Sequence, residues 1–166
     1  MQLKKYTFGI LGVVCFIVFD QLTKLWAILN LEGTQGIPVI PDVFELQYLE
    51  NHGAAFGILQ NQRWLLLIIS FLILILLCAV YAKIPEGKRF LPLKAVSILL
   101  AAGAIGNMID RILMGYVIDF LYFKLIHFPV FNVADCYVVI AAFAAFFLIC
   151  FYYKDEDFNF LKKKKS

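Results

Sequence analysis

Two aspartates, Asp119 and Asp135, lie at or near the ends of apolar runs, with amide residues close by in sequence. Carboxylates that share a site beside a low-dielectric surface cannot both ionise cheaply, so one keeps a proton while the other gives its proton up. Such a pair is an acid and a base in one place. It can deprotonate a water for attack on a carbonyl while protonating the carbonyl oxygen or the leaving amine. Each residue alone has a plainer reading. Asp135 stands in what would be a first helical turn, where a carboxylate accepts unpaired backbone N–H groups, and Asp119 alone would be a loop carboxylate reaching water.

Other polar groups collect near the same positions. Asp20 and Lys24 are spaced i, i+4 and so share a helix face as a possible ion pair. They can serve as scaffold or contact the reacting groups. Asn107 and Asp110 are three apart, with Arg111 next, and Asn132 and Asp135 are three apart again. Charged residues inside apolar spans cost about 2.5 to 3.5 kcal/mol at mid-membrane, so those that occur usually pair or do chemistry.

Competing chemistries find less support. The three serines, Ser70, Ser97 and Ser166, have no G-x-S-x-G context and no histidine placed to activate them. His52 and His127 are isolated, and Cys15, Cys78, Cys136 and Cys150 show no ligand spacing, so no metal site is expected. Cys136 follows Asp135, whose negative charge disfavours a thiolate.

The elements that must position these residues are set by composition. The chain has 166 residues, 63% hydrophobic and only 16% charged, too little polar surface to clothe a soluble globule. At about 20 residues per helical crossing, four spans fit. Spans are expected at about 6–29, 64–82, 91–112 and 134–153, in a single domain. The first follows Lys4 and Lys5 with no small-residue cleavage site after it, and reads as an uncleaved anchor.

Lys83, Lys88 and Arg89 in the second inter-span turn, with Lys162–Lys165 at the end, place both termini on the cytoplasmic side. The terminal lysines fix topology or bind anionic lipid. Outer segments are then about 30–63 and 113–133. In the first, Phe44–Tyr48 alternates as a half-buried strand should, with Pro38 and Pro41-Asp42 supplying turns before it. In the second, 116–123 is a strand or amphipathic segment hinged at Gly115. The fold class expected is an all-α membrane bundle of four helices with a small extracytoplasmic sheet.

Taken in order, Asp20-Gln-x-Thr-Lys24, Asn51-His-Gly-Ala-Ala-Phe-Gly57, Gly106-Asn-Met-Ile-Asp-Arg111, Val117-Ile-Asp-Phe120 and Phe131-Asn-Val-Ala-Asp135 resemble the signature blocks of the lipoprotein signal peptidase family, also called signal peptidase II. The resemblance covers nearly the whole chain. It implies an intramembrane aspartyl endopeptidase that removes signal peptides from diacylglyceryl-modified prolipoproteins, cutting before the lipidated cysteine. Asp119 and Asp135 match the catalytic dyad. Asn51, Asn107, Asp110, Arg111 and Asn132 would line the site, and Asp20 and Lys24 would support it. Arg111 is expected to bind a substrate carbonyl or brace Asp110.

One departure is visible, since many members carry serine where this chain has Cys136. The expected enzyme is a monomer in the bacterial cytoplasmic membrane, its site at the outer face, with membrane lipid around it and neither cofactor nor nucleic acid involved. The alternatives are a small cation or proton transporter with carboxylates at the outer interface, or a purely structural membrane protein. A pore would need a polar stripe through the bilayer, whereas the inner halves of the spans are almost wholly apolar.

Overall fold

The computed structural model describes residues 2–54 and 58–161. Residues 55–57 of the Asn51–Gly57 block and the lysines at 162–165 lie outside the described residues. The elements run α1 (Gln2–Leu31), β1 (Ile37–Ile40), β2 (Phe44–Asn51), α2 (Arg63–Lys83), α3 (Leu91–Leu113), β3 (Val117–Tyr122) and α4 (Val133–Phe147). A π turn, Leu148–Tyr152, prolongs α4.

Four segments, Lys5–Leu31, Arg63–Lys83, Lys88–Leu113 and Val133–Tyr152, are long and apolar enough to cross a bilayer. Such helices close their own backbone hydrogen bonds and can leave apolar side chains facing lipid. The limiting case is α2, where Leu66 alone is buried while Ile68, Phe71, Leu72 and Leu76 are exposed.

The central helix is α3, which packs on α1, α2 and α4. Small residues permit this. A Cβ on Gly103 would stand 2.6 Å from the carbonyl oxygen of Ala134 in α4, and one on Gly106 would stand 2.7 Å from Oδ2 of Asp20 in α1. At the opposite end, Lys5 donates to the carbonyls of Ala82 and Ile84, where the last turn of α2 leaves acceptors unpaired.

The sheet is antiparallel in the order β1-β2-β3, so the two segments between spans join in one element. The Phe44–Tyr48 expectation is met by β2, and the segment about 116–123 supplies β3. Pro38 does not turn the chain as expected. It lies within β1, an edge strand, where the missing N–H need not cost a ladder bond. The turn falls at Ile40–Val43, closed by a 3.0 Å bond from the Val43 N–H to the Ile40 carbonyl, with Asp42 at φ +57°.

The third strand shows no alternation because both of its faces are covered. Ile118 and Phe120 pack on Ala27 and Leu31 of α1, while Val117 and Asp119, also buried, face the other way. Phe131 bridges Leu121 on the open side of β3, which brings the chain directly to the start of α4.

Candidate active site

The turn that delivers Asp119 begins at Gly115, whose φ of +93° suits a residue without a Cβ. Asn51 pairs with Val117 across the ladder, so its side chain lies diagonal to Asp119 on the same face. Its Nδ2 donates to Asp119 Oδ2 at 2.8 Å, and Asn132 Nδ2 donates to Asp119 Oδ1 at 2.6 Å. Asp119 is only 1% exposed. Burial, reinforced by the negative charge of Asp135, pushes its carboxyl up to about 7 against the pull of those two amides and Lys24.

Asp135 occupies the first turn of α4. Its Oδ2 accepts the Asn132 backbone N–H at 3.2 Å while Asn132 Oδ1 accepts the Asp135 N–H at 2.9 Å, a reciprocal capping box. Asp135 is therefore a helix-capping partner, and it also lines the cavity beside Asp119. Its other oxygen accepts Asn107 Nδ2 at 2.8 Å.

Behind this layer sits a buried ionic cluster. The Lys24 ammonium meets Asp20 Oδ2 at 2.9 Å, Asp110 Oδ2 at 2.8 Å and Asn107 Oδ1 at 2.9 Å, which uses its three donors. Asp20 Oδ1 accepts the Ala134 N–H at 2.9 Å, so a residue of α1 satisfies an unpaired donor at the start of α4. Asp110 Oδ2 also accepts the Ile118 N–H at 3.3 Å, tying α3 to β3. The i, i+4 pair of the sequence is thus an ion pair joined by a second carboxylate.

Arg111 does not brace Asp110. Its Nη2 donates to the carbonyl of Gly53 at 2.7 Å, fixing the chain just beyond Asn51. Asp110 is held instead by Lys24, Ile118 and Gln21. Gln21 was not foreseen, yet its Nε2 donates to Asp110 Oδ1 at 2.8 Å and lies within 3.3 Å of Asp20 Oδ2. Its place inside the Asp20–Lys24 block is the sequence signal that could have found it.

A cavity of about 1120 Å³ opens over the two aspartates. Asn51, Asn107, Arg111, Asp119 and Asp135 line it, with Gln47, Glu50, Gln60 and His127 also on its polar side, and Phe128, Val130 and Val138 to Ile140 form an apolar flank. Asp20, Lys24, Asp110 and Asn132 stand behind its wall, each 2% exposed or less. Cys136 lines it as a half-exposed thiol. Among the described residues no His, Cys, Asp and Glu side chains are grouped to hold a metal ion.

Four segments able to cross a membrane, with a sheet that sets Asp119 beside Asp135 in one cavity and an N–H donor on each carboxylate oxygen, define a membrane protein with a paired-carboxylate site. Residues 12–152 match the family model of signal peptidase (SPase) II, and the chain belongs to that family of aspartic proteases. It is 41% identical over 133 residues to a lipoprotein signal peptidase of Clostridioides difficile, covering 79% of this chain and 86% of that one. Against the lipoprotein signal peptidase of Streptococcus thermophilus the identity is 38% over 146 residues, covering 88% and 92%.

Solved structures agree. A bacterial membrane enzyme solved by the in meso method at 2.3 Å resolution superposes with a TM-score of 0.73 at 31% identity, covering 96% of this chain and 94% of that one. A second, at 1.9 Å, gives 0.75 at 32% identity, covering 89% and 95%. The chain is an enzyme and a multi-pass bacterial membrane protein. None of these relatives supports the transporter alternative.

Proposed function

We propose that this enzyme removes the signal peptide from diacylglyceryl-modified prolipoproteins, cutting before the lipidated cysteine, with Asp119 and Asp135 as its catalytic pair. The observation that carries this is the cavity itself, in which both carboxylates stand together against an apolar flank. Water placed between them is deprotonated by one as its oxygen attacks the scissile carbonyl carbon, and the other gives its proton to the carbonyl oxygen. The resulting diol collapses as the amide nitrogen takes a proton and the C–N bond breaks. The two titrate as one unit, so neither holds the acid or base role alone.

Arg111 donates from Nη2 to the Gly53 carbonyl and from Nη1 to the Asn107 carbonyl at 3.4 Å, and it lines the cavity, where its guanidinium serves to bind a substrate carbonyl. The apolar flank receives acyl chains or apolar residues of the signal peptide. The distribution of lysine and arginine supports both termini in the cytoplasm and the cavity at the outer face of the cytoplasmic membrane.

The test is incubation of the purified enzyme with a diacylglyceryl-modified prolipoprotein and with the same precursor unmodified, followed by mass analysis. The expected result is a product beginning at the modified cysteine, from the modified precursor alone. A modified precursor left intact contradicts the proposal.

A further inference from the structure

Three asparagines surround the two aspartates, and each has its amide turned the same way by a group that can only donate. The Gly53 N–H faces Asn51 Oδ1 at 2.9 Å, the Asp135 N–H faces Asn132 Oδ1 at 2.9 Å, and the Lys24 ammonium faces Asn107 Oδ1 at 2.9 Å. The oxygen and nitrogen of an amide are nearly isosteric, so only its hydrogen-bond partners decide which one points where. Backbone N–H groups and an ammonium carry no acceptor. Each therefore fixes the amide oxygen toward itself and sends the N–H toward Asp119 or Asp135.

Two of these locks are backbone and belong to the fold. The third is a side chain with a buried cluster of its own. Lys24 is held by Asp20 and Asp110, and Gln21 in turn holds Asp110. Without the ammonium, the Asn107 oxygen would keep only a 3.1 Å contact from Asn132 Nδ2, a group that also serves Asp119 and the Ile118 carbonyl with two protons. A reversed Asn107 amide would point its oxygen at Asp135 Oδ1, setting lone pairs against lone pairs where a charge-assisted bond now stands.

We propose that Lys24 is a positioning residue of the aspartate pair, acting through Asn107 by fixing which end of its amide meets Asp135. It touches no substrate, being 2% exposed with all three donors engaged behind the cavity wall. This rests on Asp119 and Asp135 being the reacting pair.

Replacing Lys24 alone would strand two buried carboxylates, so the charge-balanced double variant Lys24→Met/Asp110→Asn is compared with the parent and, separately, introduced into Asn107→Leu. Expected is a fall in kcat of about 100-fold on the parent with KM nearly unchanged, the scale of a mispositioned reacting group. On the Asn107→Leu background the same change should alter kcat by less than about twofold, since the path through Asn107 is already cut. An equal fall on both backgrounds overturns the proposal.

Asn107→Leu on the parent decides the matter even if the Lys24 variant does not fold, because it leaves Lys24 paired with Asp20 and Asp110 and removes only the amide through which Lys24 acts. Its kcat should fall about 100-fold with KM nearly unchanged and its melting temperature close to the parent's. Parent-like kcat in the folded Asn107→Leu variant overturns the proposal. Near-normal turnover in Asp119→Asn or Asp135→Asn would instead remove the pair itself. Inactive pair variants together with equal falls on both backgrounds would overturn the Lys24 role only.

Discussion

Asn132 and Asp135 exchange hydrogen bonds reciprocally, each side chain accepting the other's backbone N–H, and the same Asn132 amide donates to Asp119 at 2.6 Å. The start of α4 thus fixes the spacing of both carboxylates. Helix capping and site assembly share one residue, and substitution can separate them. Serine caps as well as asparagine but has no second donor arm. Asn132→Ser should melt close to the parent and lose turnover, whereas Asn132→Ala should lose turnover and, in addition, about 0.5 to 2 kcal/mol of stability with the cap. Melting temperatures in detergent beside turnover rates check this. Full turnover by the serine variant would show that the Asn132 N–H is idle.

Burial of Asp119 has a signed consequence for stability. Its carboxyl is raised from 3.8 to about 7, so between those values the folded protein keeps a proton that an exposed carboxyl has released. The stabilisation tied to that proton is complete below about pH 4 and fades as pH rises toward 7. Asp119→Asn has no such proton to lose. The melting-temperature difference, variant minus parent, should therefore climb from pH 4 to pH 7 and level off above. A flat difference would mean that Asp119 is not held protonated by its surroundings.

The close approach of α3 to α1 and α4 depends on Gly106. A methyl there would meet Asp20 Oδ2 at 2.7 Å and the Ala134 Cβ at 3.3 Å. Asp20 would have to leave the Ala134 N–H or Lys24. Gly106→Ala should cost about 1 to 3 kcal/mol, as overpacking does, and turnover should fall with it. A variant that melts and turns over like the parent would mean the helices part without disturbing Asp20.

What the sequence showed and hid follows from how each signal arises. Span-length apolar runs announce helices by hydropathy, and polar residues at one end of those runs stand out against them. The Asp20–Lys24 pair was legible because helical periodicity alone puts i and i+4 together. The partition of Asn107 and Asp110, one toward Asp135 and the other toward Lys24, was not, since it depends on where α1 crosses α3. Arg111 was set beside Asp110 by adjacency, although neighbouring residues on a helix point in different directions, and its partner Gly53 comes from another element. Gln21 escaped for the same reason. Proline at 38 read as a turn because nothing local distinguishes an edge strand from a loop.

Whether Asp119 and Asp135 act together as acid and base is read most directly from the turnover of a diacylglyceryl-modified prolipoprotein by Asp119→Asn and Asp135→Asn, each first shown to melt no lower than the parent. Asparagine keeps the shape of either side chain, and at 135 it can still accept the Asn132 N–H, so the fold should survive. Loss of an acid–base partner should reduce turnover by about 100 to 10,000-fold in each variant. Near-normal turnover by either folded variant would contradict the account.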